Sequence, residues 1–393
     1  MPCAKKSSTL SSALTAATAA LSSIYSASTP TTTSSAADTS VSLTSSSAIT
    51  TTSTSSAAGP SLAESTGTPV IALANTNSTL YAGVSISGLD FGCDSEGSCT
   101  VGGVTVPSNA ADQMQHFISK DSLNIFRLTV GWQYLTNNVV GGNLDSSNFG
   151  TYDDLMQSCL ATGSKCVIDI HNYARWNGKI IGQGGPSNDD FAALWTSLAT
   201  KYSNNTDVIF ALMNEPHDLT VSTWADTVQA AVTAIRQVAP DHMILIPGSS
   251  YSSAGELPNE AGPYLLNVTN PDGSTDNIHF DVHKYLDSDN SGTAPECVTN
   301  NIDDAFDPLA TWLRDNNRKA MVSETGGGNT DSCEKFVCEE LAYLNQNNDV
   351  YLGYIGWAAG AFDSSYALSL TPTGNTAADF VDTDLMTKCF SRA

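Results

Sequence analysis

The sequence is poor in charge, and poorest in positive charge. Lysine and arginine number 16 in 393 residues, against 40 aspartates and glutamates, a net charge of −24. That balance excludes a nucleic-acid partner, because neutralising phosphates takes clustered Lys and Arg. It disfavours an anionic membrane surface for the same reason. No run of 18 apolar residues is present, so no segment reads as a membrane span. No G-x-G-x-x-G follows the first apolar run and no G-x-x-x-x-G-K occurs, which removes the usual phosphate cradles. Neither C-x2-C nor H-E-x-x-H is found, and neither a metal nor a cofactor is expected. What remains is a low-charge chain, rich in Ser, Thr and Asn, suited to neutral, hydroxyl-rich partners.

Cysteine is not scarce. Eight of the nine cysteines lie after residue 90: Cys93, Cys99, Cys159, Cys166, Cys297, Cys333, Cys338 and Cys389. An even set suits disulfides and an oxidising compartment. Sequons at Asn77, Asn204 and Asn267 agree with a secretory route. The start itself is a poor signal peptide: Lys5 and Lys6 precede a mild stretch, Ala13 to Leu21, broken by Thr15 and Thr18. Residues 1–67 hold 34 Ser or Thr, one aromatic and four charges. Such a segment buries too little apolar area to offset ordering entropy, so residues 1–76 are expected to be a disordered Ser/Thr-rich leader or linker. Cys3, within it, is the odd cysteine.

From residue 77 the pattern becomes regular. Eight short apolar runs recur: Tyr81–Ile86, Ile125–Val130, Cys166–Ile170, Val208–Met213, Met243–Ile246, Ile278–Val282, Ala320–Ser323 and Leu352–Trp357. Continuous runs of this kind fit strands buried on both faces. Helix-period segments separate most of them. The clearest is Ser222–Ala239, where Trp224, Val228, Val232, Ile235 and Val238 recur, Thr223 with Asp226 resembles a capping box and Pro240 stops the helix. Residues 248–276 read mostly as loop. Alternation of this length predicts an α/β chain whose residues 77–393 form one (β/α)8 TIM barrel; a doubly wound sheet is the rival reading.

In such barrels the chemistry sits at the carboxyl ends of the strands. The second run contains Arg127, and the third leads into His171-Asn172-Tyr173. The fourth leads into Asn214-Glu215-Pro216-His217, the sixth into His283-Lys284-Tyr285, the seventh into Glu324-Thr325-Gly326, and the eighth ends at Trp357. On the fourth and seventh strands of such a barrel, Glu215 and Glu324 are expected on opposite sides of its mouth, facing each other across a bound sugar. Paired carboxylates flanking a glycosidic bond are the machinery of most glycosidases: one holds a proton for the leaving oxygen, and the other is ionised to attack the anomeric carbon. A retaining mechanism requires roughly 5–5.5 Å between them. Gly326-Gly327-Gly328 reads as a turn that lets substrate approach. Trp132, Trp195, Trp224 and Trp312 read as core, and Trp176 as either loop packing or a distant sugar subsite.

Taken together, the stretches Phe126–Leu128, Asp169–Gly178, Met213–His217, Val282–Asp287 and Ser323–Gly326 resemble glycoside hydrolase family 5, and within it the secreted fungal endo-β-1,4-glucanases. The resemblance spans about 79–393. It implies a retaining endoglucanase in which Glu215 is the acid/base and Glu324 the nucleophile. It implies that Asn214 binds the sugar 2-hydroxyl, that Arg127 keeps Glu324 ionised, and that His171 and His283 bind hydroxyls or position the glutamates. Tyr285 would donate to Glu324, and Trp357 would form the sugar platform. The family pairs cysteines in order, implying Cys93–Cys99, Cys159–Cys166, Cys297–Cys333 and Cys338–Cys389. The implied partner is β-glucan polysaccharide, and the implied protein is a secreted, extracellular monomer. Fungal relatives often carry a cellulose-binding module before such a linker; residues 1–76 read as linker alone, so soluble or amorphous glucan is the expected substrate. A β-mannanase or xyloglucanase on the same barrel, or a non-catalytic wall-binding protein, are the alternatives.

Overall fold

The computed structural model describes residues 78–393. The Ser/Thr-rich segment 1–76, Cys3 and the Asn77 sequon lie outside the described residues.

Eight parallel strands close into a barrel: β1 (Tyr81–Leu89), β2 (Ile125–Val130), β3 (Lys165–Ile170), β4 (Val208–Ala211), β5 (Ile244–Pro247), β6 (Ile278–Tyr285), β7 (Ala320–Gly326) and β8 (Tyr351–Gly360), each bonded to its neighbours in sequence, with β1 closing against β8. Helices return the chain between them: α1 (Ala110–Asp121), α2 (Ser146–Leu160), α3 (Asn188–Tyr202), α4 (Val221–Val238), α5 (Gly262–Leu265), α6 (Asp307–Asp315) and α7 (Asp331–Gln346). The (β/α)8 barrel expected from the alternating pattern is therefore present. Local chemistry explains several boundaries. Ser187 and Asp190 form a reciprocal capping box that starts α3. Asp145 caps α2 by accepting from the Ser147 and Asn148 amides.

One expectation is corrected and one, the loop-like stretch 248–276, is met. Helix α4 begins at Val221, so Thr223 sits inside its first turn and its carbonyl accepts from the Thr227 hydroxyl instead of capping. Between β5 and β6 only the four-residue α5 forms, and the rest of that connection is turns and loop.

Strand alternation divides the apolar residues into two bodies. Phe126, Leu128, Ile168, Ile170, Phe210 and Val322 belong to the large core that also contains the helix residues Phe117, Tyr152, Trp195 and Trp224. Ile125, Val167, Ile209, Ala211, Leu245, Met321, Leu352 and Ile355 form a separate cluster contributed by six strands, which plugs the barrel interior. The cysteines pair in sequence order. Cys159–Cys166 ties α2 to β3. Cys297–Cys333 ties the β6–α6 loop to α7, and Cys338–Cys389 ties α7 to the C-terminal turn Met386–Phe390.

Candidate active site

One step along the strands from the apolar plug, the interior turns polar. Arg127 stands two residues after Ile125 on β2, and Asp169 two residues after Val167 on β3, so each shares the inward face. Both are fully buried. Arg127 Nη2 lies 3.0 Å from Asp169 Oδ1, off the hydrogen-bond axis, and Nη1 donates to Glu324 Oε2 at 2.7 Å. Burial works against the guanidinium charge, but Asp169 and Glu324 outweigh it and hold Arg127 charged. The same guanidinium holds Asp169 below the usual carboxylate range, against the effect of burial.

Glu324 reaches this cluster because β7 is irregular. Plain alternation from Met321 would face Ser323 inward and Glu324 outward. The β6–β7 register slips by one residue, from Val282 opposite Val322 to His283 opposite Glu324. That bulge lets Ser323 and Glu324 both meet inward-facing groups of β6. Tyr285 donates its hydroxyl to Glu324 Oε1 at 2.6 Å, and burial raises its phenol well above its ordinary range, so the donor stays neutral. Glu324 thus accepts from a guanidinium on one oxygen and from a phenol on the other.

Glu215 is set up differently. It lies just past β4 with a backbone φ of 44°, a left-handed conformation that costs a non-glycine residue about 1 kcal/mol or more. Its Oε1 is 2.9 Å from His283 Nδ1, and His283 Nε2 is 2.9 Å from Ser323 Oγ. Ser323 gives its single proton to Asp281 Oδ1. Its oxygen must therefore accept from His283 Nε2–H. Burial lowers the His283 pKa, and a neutral ring protonated at Nε2 leaves Nδ1 as an acceptor. The proton in the His283–Glu215 bond then belongs to Glu215. Burial pushes the Glu215 carboxyl the same way, up to about 7, despite the opposing effects of His171 and Arg127. One carboxylate oxygen of each glutamate and a ring nitrogen of His283 lie within 4.8 Å of one another.

Asn214 and His171 complete the floor. Arg127 Nη2 donates to Asn214 Oδ1 at 2.6 Å, which turns the Asn214 amide nitrogen towards His171 Nε2, 3.3 Å away. His171 Nδ1 is 2.9 Å from Asp169 Oδ2. Burial opposes a charge on His171 and Asp169 more than offsets it, yet Asn214 Nδ2 can only donate, so its contact requires a bare Nε2. One amide hydrogen of Asn214 remains for another partner. Trp357, on β8, stacks on His171 with ring centres 5.4 Å apart and lies beneath the Arg127 guanidinium at 5.8 Å. Its indole N–H is fixed by the Tyr366 hydroxyl. A cleft of about 640 Å³ opens beside Glu215 and His283, walled by Tyr173, Tyr251, Tyr285 and Ser291.

Arg127, His171, Asn214, Glu215, His283, Tyr285, Glu324 and Trp357 are thus brought together. Asp169, Asp281 and Ser323 were missed as site residues. The signal was present in Asp169-Ile170-His171 and Asp281-Val282-His283, where an acid two residues before a histidine shares its face. His279 and His283 are four residues apart on β6, but on an extended strand they stand roughly 13 Å apart and cannot share an ion. The three glycines after Glu324 serve packing. A Cβ at Gly326 would meet the Trp357 carbonyl at 2.8 Å, at Gly327 the Cys297–Cys333 sulfurs at 2.4 Å, and at Gly328 the Pro295 carbonyl at 2.3 Å. Trp176 is buried edge-on against Trp132, so its open reading resolves to loop packing. His217 stacks on Tyr251 and bonds the Ser95 carbonyl, holding loops together.

The family described as cellulase (glycosyl hydrolase family 5) matches residues 85–362. The chain belongs to that family. Endoglucanase EG-II of Hypocrea jecorina is 56% identical over 324 residues, covering 79% of this chain and 77% of that protein. The manganese dependent endoglucanase Eg5A of Phanerodontia chrysosporium is 46% identical, covering 80% of each chain. The crystal structure of Cel5A (EG2) from Hypocrea jecorina superposes with a TM-score of 0.79 at 54% identity, covering 80% of this chain and 99% of that one. This family 5 chain is a glycoside hydrolase with its polar layer at the family's barrel mouth.

Proposed function

We propose that residues 77–393 form a retaining endo-β-1,4-glucanase that cleaves internal bonds of cellulose and soluble β-glucans outside the cell. The observation that carries this reading is the opposite setting of two neighbouring carboxyls: Glu324 between Arg127 and Tyr285, and Glu215 against the acceptor nitrogen of His283. Separation within 4.8 Å at the nearest oxygens favours direct attack over the wider spacing that an inverting site needs for its water. Glu324 is the nucleophile: an oxygen bonds to the anomeric carbon as the glycosidic C–O bond breaks. Glu215 is the acid, and its proton passes to the departing oxygen. In the second half, Glu215 takes a proton from water, the water oxygen bonds to the anomeric carbon, and the ester to Glu324 breaks. Asn214 offers its spare N–H to the 2-hydroxyl, and Trp357 offers an apolar face to the sugar ring.

The names of the Hypocrea and Phanerodontia relatives support the endoglucanase activity. Four disulfides favour an oxidising, extracellular setting, and among the described residues no helix is long and apolar enough to cross a membrane. The test is to compare hydrolysis of carboxymethylcellulose with that of mannan and xyloglucan, following viscosity and reducing ends together. Faster action on carboxymethylcellulose, with viscosity falling well before reducing ends accumulate, is expected. A preference for mannan, or retention of cellulose without any hydrolysis, overturns the reading.

A further inference from the structure

A second buried acidic cluster lies on the outer side of the barrel, apart from the catalytic layer. His116, on α1, pairs through Nε2 with Asp382 at 2.8 and 3.0 Å to its two carboxylate oxygens. Asp121, the last residue of α1, brings a carboxylate oxygen within 4.8 Å of both. The His116 and Asp382 side chains are 6% and 5% exposed, and Asp121 is 2% exposed. Phe380 closes the site edge-on over the imidazole, and Phe117 lies beside it.

Three physical facts set Asp121 against its surroundings. Its Oδ2 is buried and has no hydrogen-bond partner. It sits at a helix C-terminus, where the backbone carbonyls already concentrate negative charge. A second carboxylate, that of Asp382, has an oxygen within 4.8 Å of it. Arg392 is the nearest guanidinium by chain, but its Nη2 is committed to Thr79.

We infer that His116, Asp121 and Asp382 form a binding site for one divalent transition ion, of the Mn2+ or Zn2+ class, that clamps the C-terminal segment to helix α1. One imidazole nitrogen with two carboxylates is a mixed N/O donor set that suits these ions better than Ca2+ or Mg2+, which prefer oxygen alone. The ion satisfies the orphan oxygen of Asp121, separates the two carboxylates, and takes the imidazole Nε2 that otherwise bonds Asp382. Asp382 lies 266 residues from His116 in the chain, so no local spacing announces the full site. Asp382 precedes the turn that carries Cys389, and the Cys338–Cys389 bridge fastens the same segment to α7. The ion thus acts on stability and leaves the hydrolytic step alone, and the inference is independent of the hydrolytic reading.

The test uses the full chain, stripped with a chelator and titrated with MnCl2 and with ZnCl2 by calorimetry and thermal melting. Wild type and Glu215→Gln are expected to take up one ion per chain, with Tm rising by roughly 5 °C at hundredfold excess over Kd. Asp121→Asn removes a ligand and leaves the His116–Asp382 pair intact, so the fold is kept. It and Asp382→Asn should bind at least about 100-fold more weakly and lose the rise in Tm. Metal-free Asp121→Asn should hydrolyse carboxymethylcellulose like metal-free wild type. Absence of uptake by wild type overturns the inference, because a proton then fills the place. Uptake that survives both aspartate variants, or that vanishes in Glu215→Gln, also overturns it and moves the ion to Glu215, His283 and Glu324.

Discussion

Two layers of one barrel interior, two residues apart along the same strands, behave as opposites. The lower is Ile125, Val167, Ile209, Leu245, Met321 and Leu352, a cluster of apolar side chains beside which β6 places His279, opposite Leu245. The upper is Arg127, Asp169, Asp281, His283 and Glu324, all buried and joined to one another by hydrogen bonds and ion pairs. The lower layer contributes stability by removing apolar area from water. The upper layer costs stability, since burying charge is compensated only where every partner is present. The difference teaches that β-register alone converts a core position into a reactive one. The slip at β7 shows it most directly, because one extra residue decides whether Glu324 faces Arg127.

The contrast is broken most severely from above. Glu324→Gln should lower kcat on carboxymethylcellulose by on the order of 10^4 or more, while its circular dichroism spectrum and Tm stay near those of wild type. Ordinary turnover by that variant contradicts the assignment of roles. From below the pattern reverses. Leu245→Ala should destabilise the protein by about 2–5 kcal/mol in denaturant unfolding, with kcat kept at a temperature where it is folded. A comparable loss of kcat would mean that the plug positions the upper layer directly.

Proton occupancy gives the next effect. Glu215 must be protonated to act as the acid, and its carboxyl is raised to about 7. Activity should therefore hold below that value and fall about tenfold per pH unit above it, which a kcat/KM profile checks. A rate still rising at alkaline pH contradicts this. The smallest effect concerns Glu340, a fully buried acid on α7 that bonds the Thr325 hydroxyl and is pushed up to about 8 by burial. It is protonated in the folded state where an unfolded glutamate has already ionised. Wild-type stability should thus fall between about 4.5 and about 8, and Glu340→Gln should remove that slope. Parallel unfolding curves for the two proteins across that window would show that Glu340 does not titrate there.

Much of this was legible in the chain. Apolar runs of four to six residues separated by helix-period segments set out the barrel, because both patterns arise from burial on one or two faces. The residues just after those runs set out the rim. The bulge at Ser323 was not legible, since it depends on how β7 pairs with two neighbours, and the run Ala320–Ser323 looks regular by itself. The donor chain through Asp281 and Ser323 was hidden for the same reason: it joins residues 42 apart. Thr223 misled because its spacing to Asp226 fits a cap, while the helix gains an earlier turn at Val221.

The central claim is that Glu324 attacks sugar directly while Glu215 holds the proton. Proton NMR of the first hydrolysis products from a soluble cello-oligosaccharide tests it most directly. The β-anomer should appear first, with α-anomer growing only as mutarotation proceeds. Early α-anomer would mean that water, and not Glu324, strikes the anomeric carbon.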